Sequence, residues 1–191
     1  MSENTTLPAH AIPGYRAGTW TADPAHSEIA FSARHLMLSR TRGRFTGYTV
    51  TIVTAADPAD SAVTATIELA SLESGNAMRD DHLRSADYLD VETYPTMSYR
   101  STGVRHETGG WFVDGELTLH GHSRPVALAV ELLGFGPDPF GGQRAGFSVT
   151  AEIDRRDFGI DLNTPMDGGG IAVGNKVSIA MEIEAVLTDP S

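Results

Sequence analysis

A two-residue alternation of apolar and polar side chains, interrupted and restarted along most of the chain, restricts the fold more than any other feature. Ile29, Phe31, Ala33 and His35 alternate with Glu28, Ala30, Ser32 and Arg34, a period that sends one set to a buried face and the other to an exposed one. The pattern returns in Tyr48/Val50/Ile52, Val63/Ala65/Ile67/Leu69, Met97/Tyr99, Trp111/Val113/Leu117/Leu119, Val126/Leu128/Val130/Leu132, Phe147/Val149/Ile153 and Val177/Ile179/Met181/Ile183. These segments read as about eight strands. Between them lie turn-forming runs, ADPADS at 56–61, HETGG at 106–110, HGHSRP at 120–125 and GFGPDPFGGQ at 134–143, which favour antiparallel hairpins. No self-similar period of about 20–50 residues is visible, so a propeller or solenoid is disfavoured.

Eight antiparallel strands either fold into a sandwich or close on themselves to remove their edges. A closed ring of that size has an interior just wide enough to be filled by side chains or to hold one small ligand. Phe31, Trp111 and Phe147 suit a filled core, whereas Ala33, Ala65 and Gly115 leave room. The alternation leaves both outcomes open.

A chain of 191 residues with 40% hydrophobic content suits one compact domain. Residues 1–18 mix Pro, Gly, Ser and Thr with little periodicity and read as a flexible arm. The folded domain is expected over 19–188. With 25 acidic against 14 basic residues the net charge is −11, which repels phosphate backbones and anionic headgroups where a nucleic-acid binder carries a basic stripe. Nucleic acid is therefore not an expected partner. The absence of cysteine excludes disulfides, thiol nucleophiles and thiolate metal sites. MSENTTLPAHAIPGYRAG has neither a basic n-region nor an apolar h-region, so the expected location is cytoplasmic. Asn4-Thr5-Thr6 matches a glycosylation acceptor only formally.

RDDHLRSADYLDVETYP, residues 79–95, departs from the strand pattern. Asn76 can cap a helix whose first turns hold Asp80 and Asp81. Asp80 and Arg84 are four apart, the spacing of a solvated ion pair on a helix. Met78, Leu83, Tyr88 and Leu89 supply an apolar side, and Pro95 disfavours helix at Tyr94. A short helix near residues 77–90, lying over one opening of the sheet with its charges toward water, follows from this.

Other constellations are weaker. His120 and His122 flank Gly121 and precede Pro125, which reads as a hairpin turn rather than a metal pair lacking further ligands. Ser27, His26 and Asp23 can be written as a triad, but triads are recognised by geometry and no nucleophile-elbow sequence occurs. Gly169 and Gly174 have P-loop separation, yet Asn175 stands where the lysine belongs and a strand follows. No catalytic residue, metal ligand or cofactor is assigned.

DPAHSEIAFSARHL (23–36), RGRFTGY (42–48), RDDHLRSADYLDVETYPTMSYRST (79–102), GELTLHGHSRPVALAVEL (115–132) and RRDFGID (155–161) together resemble the YceI-like family of polyisoprenoid-binding proteins, in order and from about Trp20 to Leu187. The usual G-D-E-V entry to the last strand is here Gly174-Asn175-Lys176-Val177. The resemblance implies an all-β fold, an eight-stranded antiparallel lipocalin-like barrel whose apolar tunnel holds the tail of a polyisoprenoid or isoprenoid quinone. It implies a lipid binder, store or transporter rather than an enzyme. It also implies pairing into a homodimer, and the cargo suggests transient membrane contact. Many relatives are exported, unlike the expectation for this chain.

Periodicity and resemblance together give the candidate ligand-binding residues. Ile29, Phe31, Phe45, Tyr48, Ile67, Leu69, Leu83, Tyr88, Met97, Leu117, Leu119, Phe147, Val149 and Ile179 are expected to meet the ligand's apolar part. His35, Asp81 and His82 are expected at a polar rim. Two rival readings remain: an enzyme acting on an isoprenoid-like apolar substrate, with those three polar residues as acid–base groups, and a barrel filled by its own side chains.

Overall fold

The computed structural model describes residues 11–36, 38–163 and 173–190. The Asn4-Thr5-Thr6 match, residues 1–10 of the expected arm and most of the glycine-rich stretch before Val173 lie outside the described residues.

Among the described residues eleven strands follow one another: β1 (Gly18–Ala22), β2 (Glu28–His35), β3 (Ser39–Phe45), β4 (Tyr48–Thr54), β5 (Ala62–Glu68), β6 (Leu72–Glu73), β7 (Thr96–Glu107), β8 (Gly110–Leu119), β9 (His122–Pro137), β10 (Gln143–Asp154) and β11 (Val173–Pro190). A single α-helix among the described residues, α1 (Ala77–Arg84), stands between β6 and β7. Every recorded pairing is antiparallel.

β1 pairs with the C-terminal part of β11 and β2 with its N-terminal part. β4 pairs with β1, and β3 with β2. Thus β1/β2 and β3/β4 each act as one long strand with a kink, and β5/β6 does the same. Counted this way, the sheet is a closed 8-strand antiparallel barrel in which each leg lies beside the next in sequence. The β1–β11 ladder closes the ring, so no full-length edge is left open. The first kink falls at Asp23-Pro24, where proline has no N–H to give a ladder.

The alternation announces most of this wall but not β1 or β3. β3 reads SRTRGRF, and its inward row of Thr41, Gly43 and Phe45 has one large apolar side chain, at its end. Its partner supplies the missing bulk, because a Cβ on Gly43 would lie 2.5 Å from Cζ of Phe31. The ring therefore occupies the place of the absent side chain. Tyr99 uses Gly115 identically, at 2.4 Å, and its hydroxyl reaches the carbonyls of Val113 (2.9 Å) and Val126 (3.0 Å). Burial pushes that phenol well above its ordinary pKa. The room expected at Gly115 is thus taken by a neighbour.

At one end, the indole Nε1 of the buried Trp20 donates to Thr54 Oγ1 at 2.8 Å. Residues 11–17, expected as part of the arm, lie against this end. Ile12 is buried; Tyr15 donates to the Ala55 carbonyl at 2.7 Å and meets Phe135 edge-on at 5.3 Å. α1 and the turns after it occupy the other end, beside the β2–β3 and β8–β9 hairpins.

Candidate ligand-binding site

The inward side chains enclose a cavity of about 310 Å³, at the small end of the ~300–1,000 Å³ usual for small-molecule sites. Its lining extends from Ile12, Tyr15 and Pro58 at one end of the barrel to Leu83, Ile160 and Val173 at the other. The ring is hollow, contrary to the filled-barrel reading.

Of the candidate residues, Ile29, Phe31, Phe45, Ile67, Leu83, Tyr88, Met97, Leu117, Leu119, Phe147, Val149 and Ile179 border this cavity. The others are placed elsewhere. Leu69 is fully buried in a one-turn 3-10 helix, Leu69–Ser71, which interrupts the alternation and turns it into the packed wall. Tyr48 spans the first kink, donating to the Ser27 carbonyl at 2.8 Å. His35 is exposed at the end of β2. Asp81 is exposed and pairs with Arg84 at 3.4 Å. His82 is exposed, 3.2 Å from Asp87, with its ring edge-on to Tyr88. The three polar candidates thus form neither a rim of this cavity nor a shared acid–base site.

The cap follows the sequence in outline and departs from it in detail. Asn76 accepts from the Arg79 N–H at 3.1 Å, the expected N-cap. The helix ends at Arg84 rather than near 90, and the chain continues in turns. Asp80 is 8% exposed and does not pair with Arg84. Its carboxylate instead accepts from the N–H of Ser74 at 2.9 Å and from the Ser74 hydroxyl. Arg79 holds the same serine through Oγ and its carbonyl, both at 2.7 Å. These charges tie the helix start to the preceding strand. Met78, expected on the apolar side, is 83% exposed; Leu83, Tyr88 and Leu89 form the roof over the cavity.

One group that periodicity did not reveal is Arg155, the one charged side chain among the described residues that line the cavity. It is 4% exposed. Nε donates to the Gly174 carbonyl at 3.2 Å, Nη1 to Ile160 O at 2.7 Å, and Nη2 to Val173 O at 3.4 Å and Asn175 Oδ1 at 3.3 Å. All four acceptors are neutral. Burial lowers its pKa, yet a guanidinium stays protonated in proteins. In RRDFGID only the register of the 3-10 turn Arg155–Phe158, capped by Asp154 and ended by left-handed Gly159, sends the first arginine inward and the second outward. No alternation encodes that choice.

The remaining polar clusters are structural. The ligand-type atoms of Asp23, His26 and Glu184 lie within 4.8 Å of one another. Arg144 Nη1 already supplies positive charge there, 2.8 Å from Asp23 and 2.6 Å from Glu184. Ser27 Oγ donates to the Glu184 carbonyl at 3.1 Å and accepts from its N–H at 3.0 Å, so the hydroxyl is engaged with backbone and not with His26. His120 and Gly121 form the β8–β9 turn with positive φ, and His120 Nδ1 faces the Phe158 carbonyl at 3.1 Å.

Comparisons with known proteins agree with this architecture. A UPF0312 protein of Vibrio cholerae is 41% identical over 142 residues, 72% of this chain and 74% of that protein. The crystal structure of Burkholderia cenocepacia BcnA superposes with a TM-score of 0.73 at 23% identity, covering 85% of this chain and 98% of that one. A polyisoprenoid binding domain from Saccharophagus degradans, implicated in plant cell wall breakdown, covers 91% and 99% with a TM-score of 0.60 at 17% identity. The family model described as the YceI-like domain matches residues 20–185, nearly the whole barrel, and the chain belongs to the YceI-like family.

Proposed function

We propose that this protein binds, stores or carries a polyisoprenoid or isoprenoid-quinone lipid, with the tail inside the barrel. The carrying observation is the cavity itself: it extends between the barrel ends and is bordered almost throughout by hydrocarbon and aromatic side chains. Each methylene taken out of water contributes about 0.8 kcal/mol, so a five-carbon unit contributes roughly 4 kcal/mol before ordering is charged against it. Such a site selects chain length and branching first. The structural neighbour from Saccharophagus degradans, a polyisoprenoid binding domain, supports the same class of cargo.

Arg155 supplies polar selection. A guanidinium has five N–H donors, and the bonds above use four; the fifth, on Nη1, is the donor left for a cargo oxygen, although the surface that faces the cavity is almost entirely carbon. A quinone carbonyl or a prenol hydroxyl satisfies it; a plain hydrocarbon does not.

Solvent extraction of freshly purified protein followed by mass spectrometry is expected to release a polyprenyl species. Added isoprenoid quinone is expected to raise the melting temperature of stripped protein. A clean extract with no thermal shift would remove the lipid reading. If squalene stabilises the protein as much as a quinone of similar length, the tail assignment stands and the role of Arg155 falls.

A further inference from the structure

The β2–β3 hairpin departs from the charge of the rest of the molecule. Residues 34–45 contain Arg34, Arg40, Arg42 and Arg44 and no acid, in a chain with 25 acids and 14 bases. All four arginines are exposed. The register pairs Arg34 with Arg40, Ser32 with Arg42 and Ala30 with Arg44, which places the four on the outward face of one ribbon. From Arg40 to Arg44 the row spans about 14 Å at ~3.4 Å per residue. Arg44 reaches Glu73 at 3.2 Å and Glu28 at 3.9 Å. Among the described residues the other three have no ion pair.

This arrangement works against the fold. Arg34 and Arg40 stand directly opposite one another, and like charges in that position destabilise a sheet. Beyond the short β6 pairing at Arg44 and Phe45, the outer edge of β3 has no partner among the described residues, and charge does protect an open edge. Protecting so short an edge does not need four arginines, however, and outside residues 34–45 the chain holds 25 acids against 10 bases. At the tip the sequence is Leu36-Met37-Leu38, and Leu38 is 87% exposed. An exposed leucine beside a row of four arginines, three of them without an ion pair among the described residues, matches an anionic lipid surface, which offers negative headgroups and, just beneath them, hydrocarbon. The inner side of the same ribbon borders the cavity through Ile29, Phe31 and Ala33.

We propose that the β2–β3 hairpin docks the protein on anionic membranes, with Arg34, Arg40, Arg42 and Arg44 against the headgroups and Leu38 entering the interface. The net charge of −11 disfavours contact of the molecule as a whole with such a surface, so the arginine ribbon is the part expected to lead the encounter. The proposal does not depend on which ligand the cavity holds.

Flotation of the full chain with vesicles provides the test. Binding is expected to vesicles of equimolar phosphatidylcholine and phosphatidylglycerol, to be absent from phosphatidylcholine alone, and to fall as salt rises. Each arginine near an anionic surface contributes roughly a fivefold gain in partition, so R40Q/R42Q is expected to lose roughly 25-fold. R16Q/R100Q removes the same charge from exposed positions outside the hairpin and is expected to lose far less. Leu38→Ser is expected to weaken binding without changing its salt dependence. No binding to the anionic vesicles at low salt, or equal losses in the two double variants, would overturn the proposal. Tighter binding of wild type to duplex DNA than to vesicles would also overturn it, by making the ribbon a polyanion site.

Discussion

Two arginines, one on each side of the same wall, show how differently the barrel treats charge. Arg144 lies outside, on β10, beside the first kink. Asp23 at 2.8 Å, Glu184 at 2.6 Å and Asp138 at 3.6 Å surround it. Hydrogen bonding from Arg144, and then from His26, holds the Asp23 carboxyl well below the usual carboxylate range. Arg155 lies inside and has only neutral oxygens. Outside, three carboxylates surround one cation where a leg bends, and solvent screens the excess negative charge. Inside, three backbone carbonyls and one side-chain amide hold a cation that touches no carboxylate, beside a cavity of hydrocarbon. The outer arrangement is a brace made with carboxylates, whereas the inner one is a brace made with carbonyls and an amide.

Removing the inner group tests this difference most severely. Arg155→Met conserves much of the volume but leaves the Ile160, Val173 and Gly174 carbonyls without their donor. We expect a loss of about 3–5 kcal/mol, seen as a lower urea midpoint at unchanged m-value. A loss below 1 kcal/mol would mean that water or a neighbour replaces those bonds and that the inside is not dry. The next largest effect also lies inside. Gly115→Ala puts a methyl 2.4 Å from the Tyr99 ring and 2.6 Å from the Arg100 carbonyl, and the backbone oxygen cannot step aside. About 1–3 kcal/mol is expected, with part recovered when Tyr99→Leu is added.

Outside, the effect is smaller and carries a pH signature. A carboxyl whose native pKa is depressed stabilises the fold fully above its unfolded value near 3.9 and loses that contribution as pH falls through the native value. Asp23→Asn is therefore expected to lower the melting temperature by about 2–4 °C at neutral pH. The difference from wild type should shrink progressively below about pH 4. The deficit of Arg155→Met should change far less over that window, because its hydrogen-bond partners are carbonyls and an amide and the carboxylates of Asp154 and Asp161 act on it only through space. If both deficits faded together in acid, the contrast between a carboxylate-paired and a dipole-held arginine would be lost.

How much of this was legible follows the same division. Inward residues were readable wherever the ladder kept its period of two, as along β2 from Ile29 to Ala33 and along β8 from Trp111 to Leu119. Legibility failed where something other than the alternating stripe set direction. β3 shows no alternation before Phe45 because Phe31 fills the space at Gly43. Leu69 fell out of phase because a 3-10 turn intervenes. Arg155 was hidden because a turn, not a strand, aims it. On α1 the charge pattern gave the helix and its cap but misplaced Asp80, whose partner Ser74 lies before the helix and outside any i, i+4 rule. Composition misled in one respect: a net charge of −11 averages over the arginine row on β3.

The smallest expected effect bears directly on the cap. Asp81 and His82 lie on the outer side of α1, whereas Leu83, the next residue, borders the cavity. If the wall divides function as the arginines suggest, D81N/H82Q should shift stability by no more than about 0.5 kcal/mol. The lipid recovered by extraction should not change. The Asp81–Arg84 and His82–Asp87 pairs are exposed and screened, and Arg84 keeps its bond to the Leu72 carbonyl without them. A marked loss of bound lipid at unchanged stability would show that the ligand leaves or enters past this face of the helix. The outer surface of the cap would then belong to the site, and the boundary between inside and outside would have to be redrawn there.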